Sequence, residues 1–238
     1  MKVKLRYRVL AALLLLVGLD PLWQRPIQIH AKALLLLSQE FPQIPLKPLP
    51  RLTNPSVHEH LELESPHGKV VADLFLPTPR FGQERASAQP AVILAMGVRT
   101  QAKDRPLLLG FAETLSRLGY VVIWPRHETL DREEALPESP ETFVAAFRHL
   151  QERNEVARDR ISIVSFSVGA SLGFVAAADA RIADDVRALI FFGGYYDIFD
   201  YLVSIVTYGS AFNGQRITWY PDEEMIDYGF VYAIFECL

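Results

Sequence analysis

The stretch "ISIVSFSVGASLGFVAAAD", Ile161 to Asp179, decides the fold. "ISIVSF" is apolar on both faces, the pattern of a strand covered from both sides. The run from Val168 onward is small and apolar and reads as a helix. A sharp turn must join the two, and Ser165, Ser167 and Ser171 cluster there. A serine at the apex of a strand–turn–helix is held on a strained backbone, and small residues on either side let strand and helix approach.

Two frames compete for the apex. "GASLG" matches G-x-S-x-G literally and centres on Ser171, whereas "SFSVG" has Ser165 in the first glycine's place and centres on Ser167. Element length favours Ser167. With that apex the strand has an ordinary length, and the helix keeps about three turns, near the mean. Ser171 then lies one helical turn beyond Ser167, as Gly173 does beyond Gly169, and both read as small packing residues. A serine-rich turn without chemistry is the third reading.

Outward from this turn the chain alternates strand and helix. "VHEHLELE" and "KVVADLFLP" flank the turn "SPHG" and read as a hairpin. "AVILAMG", the helix "RPLLLGFAETLSRLG", "YVVIWP", and the helix "SPETFVAAFRHLQER" with Ser139 as its cap follow. After the serine turn come "RALIFFGG" and a helix within "YYDIFDYLVSIVTYG". A hairpin followed by βα units predicts an α/β fold: a mostly parallel sheet with helices on both faces.

Four divisions are expected: residues 1–41, a membrane-associated segment; 42–56, a proline-rich extended linker; 57–209, the α/β core; and 210–238, a tail or the start of a cap. "MKVKLRYR" is basic and "VLAALLLLVGL" apolar, the order of a secretory signal or signal anchor. The apolar run is short against the roughly 20 residues of a spanning helix. An uncleaved anchor or an interfacial helix pair is the favoured reading, and a cleaved signal or a helix packed on the domain is the alternative. That reading places the protein at a membrane or outside the cell, with lipid as a partner. The 238 residues carry 24 Lys and Arg against 28 Asp and Glu, a net charge of −4 that gives no case for nucleic-acid binding. The single cysteine, Cys237, permits no internal disulfide. No sequence signature of a metal or nucleotide site is present, so no cofactor and no metal are expected.

The core resembles the α/β-hydrolase superfamily, in particular dienelactone-hydrolase-like bacterial serine hydrolases. The resemblance rests on the order of elements, the elbow "SFSVG", the loop "MGVRTQAKDRP" and the segment "FFGGYYD". Dienelactone hydrolases carry cysteine at the apex, and this chain has Ser167. The resemblance implies a Ser167 nucleophile acting on a small ester-like substrate. It also implies an oxyanion hole from the backbone N–H groups of Val98 and Val168. Asp197 follows the sixth strand, where some members carry their acid, and it equally suits a helix cap.

The base is missing from its expected place. In this fold the triad runs serine, acid, histidine along the chain. All six histidines, His30, His58, His60, His67, His127 and His149, precede Ser167. His58 and His60 fall on the polar face of the first strand and read as surface residues. His127 follows the fourth strand and can approach the site. The chain therefore reads as a C-terminally truncated member lacking the last two strands, with poor or no ester hydrolysis expected. The rival reading is a membrane-attached binding or scaffold protein on the same fold without catalysis.

Overall fold

The computed structural model describes residues 21–79, 88–96, 105–126, 136–212 and 215–218. Helix α1 is Pro21–Glu40, and a single helical turn, α2, is Leu49–Leu52. The hairpin β1 (Val57–Ser65) and β2 (Gly68–Leu76) follows, then β3 (Gln89–Ala95), α3 (Arg105–Arg117) and β4 (Val121–Arg126). The chain continues through α4 (Glu141–Glu152), β5 (Val156–Phe166), α5 (Val168–Ala177), β6 (Val186–Phe192) and α6 (Ile198–Thr207). A small separate hairpin, β7 (Gly209–Phe212) and β8 (Gln215–Thr218), comes last.

The six main strands form one sheet in the order β1-β2-β4-β3-β5-β6. β1 and β2 pair antiparallel, as do β2 and β4, while β3, β4, β5 and β6 are parallel. The α/β class, the antiparallel start and the interior position of "ISIVSF" agree with the sequence reading. β5 starts earlier than expected, at Val156, and a register shift marks its ladder with β3.

Alternation along the strands divides the core into two layers. Ile93, Val121, Ile123, Ile161 and Ile163 face α4 and α5, where they meet Phe143, Phe147, Leu150 and Leu172. Val92, Leu94, Val122 and Trp124 face α3 and pack with Ala112 and Leu108. The chain steps from β3 to β4 in one direction and returns past β3 to β5. Right-handed crossovers then require the connecting helices to take opposite faces.

Two local expectations are corrected. The 42–56 segment is not extended throughout: proline's fixed φ suits a first helical turn, and Pro48 and Pro50 flank a fully buried Leu49. The segment is tied down by Thr78, whose hydroxyl donates to the Pro55 carbonyl at 2.7 Å, and by the Ser56 N–H donated to Glu113 at 3.1 Å. Ser139 is not the cap of α4. Pro140 holds that position, and the Ser139 hydroxyl instead accepts the N–H of Leu136 at 2.9 Å.

Among the described residues no helix is long and apolar enough to cross a membrane. Residues 1–20, where the anchor is expected, lie outside the described residues, as do residues 219–238 with Cys237.

The layers differ in how much a single change should cost. Phe147 is fully buried between α4 and the sheet, so Phe147→Ala should destabilise by roughly 3–5 kcal/mol. Phe174 is 53% exposed, and Phe174→Ser should cost about 0.5 kcal/mol or less. Urea unfolding of both variants against wild type checks the contrast.

Candidate active site

Ser167 stands between β5 and α5 with φ 54° and ψ −136°. Positive φ is rare for a residue with a side chain and costs on the order of 1–3 kcal/mol. The neighbours hold it there. The Ser167 N–H donates to the Phe192 carbonyl at 2.9 Å, and its own carbonyl accepts the N–H of Ala170 at 2.9 Å. Ser167 is exposed, whereas Ser165, Gly169 and Ala170 close to it are buried.

The small residues of the motif are explained by contacts. A Cβ at Gly169 would overlap the carbonyl of Met96, so the helix start rests directly on the end of β3. A Cβ at Gly173 would meet the Cβ atoms of Ser165 and Ala95 at 3.2 and 3.3 Å. Ser165 itself is fully buried and donates its hydroxyl to the Ile190 carbonyl at 2.7 Å. It stands where the motif has glycine because the space admits a small side chain with a partner on β6.

Ser171 lies inside α5 and has different work. Its hydroxyl donates to the Tyr195 carbonyl at 2.8 Å and accepts the Tyr195 N–H at 2.9 Å. It staples the loop after β6 to the helix. The sequence reading took it only as a small packing residue, because nothing in "GASLG" signals a partner so far along the chain.

The position of the elbow follows from the topology. The connection leaving β3 goes to the face of α3, and that leaving β5 goes to the face of α5. A crevice opens where neighbouring parallel strands send their connections to opposite faces. Ser167 is at that point. Val168 gives the first N–H of α5, and the leading N–H groups of a helix have no acceptor within it. The second expected oxyanion donor, Val98, lies outside the described residues. Met96, two residues earlier, is packed against the helix start.

Asp197 is the N-cap of α6: its carboxylate accepts the N–H of Phe199 at 2.8 Å and of Asp200 at 3.3 Å. His127 lies outside the described residues. None of the other histidines joins Ser167. His30 bonds the Pro26 carbonyl on α1, and His67 sits in the hairpin turn. His149 lies on α4, where burial and, next, the Arg153 charge lower its pKa. His58 and His60 are on β1, four strands from β5, or about 19 Å at the usual strand spacing.

No family model matches the chain, and no curated protein matches it. Among solved structures it is similar to an esterase of Pyrobaculum calidifontis, with 17% identity over 83% of this chain and 61% of that one, TM-score 0.48. An esterase of Pyrococcus furiosus shows 14% identity over 64% of this chain and 55% of that one, TM-score 0.48. A hypothetical protein from Pseudomonas aeruginosa shows 22% identity over 70% and 48%, TM-score 0.46. The chain spans about half to three-fifths of the length of these three. At such identities and scores the likeness carries no argument, and the α/β fold rests on this chain's own sheet order and its helices on both faces.

The two kinds of contact at the elbow separate experimentally. Ser171→Ala removes both bonds to Tyr195 and should cost about 1–3 kcal/mol, while leaving Ser167 in place. Gly169→Ala forces α5 off the end of β3 and should disturb the Ser167 turn itself. Thermal unfolding, with fluorophosphonate labelling of each folded variant, distinguishes them: labelling should survive the first change and fall with the second.

Proposed function

We propose that this chain carries the nucleophile and part of the oxyanion hole of a serine hydrolase of the carboxylic-ester type. The observation that supports this is Ser167 at positive φ, exposed at the switch point of a parallel sheet. Strain of this kind persists only where surrounding structure over-determines it, and it collects at functional sites.

In this reading the Ser167 Oγ attacks the ester carbonyl carbon and loses its proton to a base. The carbonyl oxygen takes up the negative charge and is held by the Val168 N–H together with a donor from the loop after β3, where Val98 lies. Collapse expels the alcohol and leaves an acyl-serine, which water then cleaves. The helix cap alone accounts for Asp197, so no proton transfer is assigned to it. No histidine follows Ser167 in the 238 residues. His127 is thus the first histidine to test as a base, and Ser167 should acylate slowly.

A second reading is a membrane-attached binding protein on the same fold. Exposed Ile29, Leu34 and Leu37 on α1 continue the apolar character of the preceding residues and suit a lipid surface. Co-sedimentation of the full chain with anionic vesicles tests it, and a chain left in the supernatant would count against lipid attachment.

The enzymatic reading is tested with p-nitrophenyl acetate and a fluorophosphonate probe. Wild type should be labelled at Ser167 and release p-nitrophenol slowly, and Ser167→Ala should do neither. In a well-studied protease, loss of a triad member still leaves roughly 10³–10⁴-fold acceleration over water, so a weak Ser167-dependent rate is the expected result. Equal rates in wild type and Ser167→Ala would sink the proposal. A rate that falls with His127→Ala would identify the base.

A further inference from the structure

A second cluster of reactive side chains lies across the sheet from the elbow. His58 and His60 are two residues apart on β1 and project to the same side. Asp73 is directly opposite His60 in the β1–β2 ladder. The His58 Nε2 lies 2.9 Å and the His60 Nδ1 2.6 Å from the same carboxylate oxygen, Asp73 Oδ1. The other oxygen, Oδ2, accepts from Arg126 at 2.9 Å, with Arg105 at 3.6 Å. Asp73 is fully buried, whereas the His60 side chain is 67% exposed.

We propose that His58, His60 and Asp73 form a divalent-metal site of the two-histidine, one-carboxylate type, suited to zinc or a similar borderline cation. Their three ligand atoms all lie within 4.8 Å of one another. Metal–ligand bonds of 2.0–2.2 Å in a tetrahedral site place neighbouring donors roughly 3.3 Å apart. The imidazoles therefore need to withdraw from Oδ1 by about half an ångström to admit a cation at those bond lengths. His60, on the exposed side of a strand, is free to do so. Ring nitrogens select zinc, nickel or copper over magnesium or calcium, which take oxygen ligands.

Charge balance alone does not explain the arrangement. Arg126 and Arg105 already face the one negative charge of Asp73, yet two further nitrogens converge on its remaining oxygen. Arg126 acts as the outer partner that fixes the plane of a ligating carboxylate. His58 is also held in place, stacked on Phe75 with ring centroids 4.2 Å apart. Without metal, His58 in its Nε2–H tautomer donates to Oδ1, while the His60 Nδ1 only approaches that oxygen. On binding, the His58 proton shifts to the other ring nitrogen and the freed lone pair takes the cation, so no net proton is lost from neutral histidines. The two guanidiniums weaken attraction for a dication, so affinity falls below that of a closed four-ligand site. β2 is three strands from β5, about 14 Å, which makes this a site apart from Ser167.

The test uses the full chain stripped with a chelator and titrated with zinc in competition with a chromogenic zinc indicator. Wild type should take one zinc per chain at micromolar concentration, and its thermal midpoint should rise with zinc. His60→Ala and His58→Ala, both changes at exposed positions, should each lose the competing site and the thermal shift. His67→Ala, in the nearby turn, should retain both. Circular dichroism confirms that the variants are folded. Failure of wild type to compete for zinc would overturn the proposal, as would wild-type binding by both folded histidine variants.

Discussion

Ser167 can keep its left-handed φ of 54° only because three separate elements press on the turn that contains it. β6 takes its N–H through Phe192, and the end of β3 abuts α5 at Gly169. α5 in turn is anchored to the loop after β6 by the two bonds of Ser171 to Tyr195. A strain of about 1–3 kcal/mol is a sizeable share of the stability of a domain. The small residues of the motif are where these elements meet, so their sizes follow from the close approach of strand and helix.

A different constraint governs the β1–β2 side of the sheet. The main apolar row of β2 packs into the core, while the opposite row carries Asp73 beside Phe75. A buried carboxylate without partners would be very costly. Arg126 at the end of β4 and Arg105 at the start of α3 supply them. The hairpin, β4 and α3 are thereby joined through one charge. His58 and His60 complete its surroundings from the solvent side. The sequence reading of these histidines as surface residues is right about exposure and incomplete about contact.

The fold was legible because its signals are local. Alternation marks β1 and apolar runs bounded by turns mark the strands of the parallel part, and element length chooses Ser167 over the literal motif match at Ser171. What could not be read depends on partners distant in the chain. Asp73 stands alone in "KVVADLFLP", and an acid in an apolar strand does hint at a buried partner, but the partner comes only from strand order. Nothing in the spacing of His58 and His60 reveals the facing Asp73, since the register of the hairpin must be known first. The extended reading of 42–56 failed for a related reason. Its prolines are compatible with a helical first turn once Leu49 has a core to enter.

The elbow and the edge of the sheet are not independent. Among the described residues β6 pairs on one side only, with β5. Ile190, Phe191 and Phe192 on β6, with Tyr196 and Phe199 beyond it, are all exposed by 43% or more. An open edge flanked by apolar side chains favours association with another surface. That same strand accepts the Ser167 N–H through Phe192 and the Ser165 hydroxyl through Ile190. Whatever steadies or disturbs the outer side of β6 therefore acts directly on the turn that presents Ser167. The order of Ser167 is set as much by the cover of this strand as by the motif around the serine.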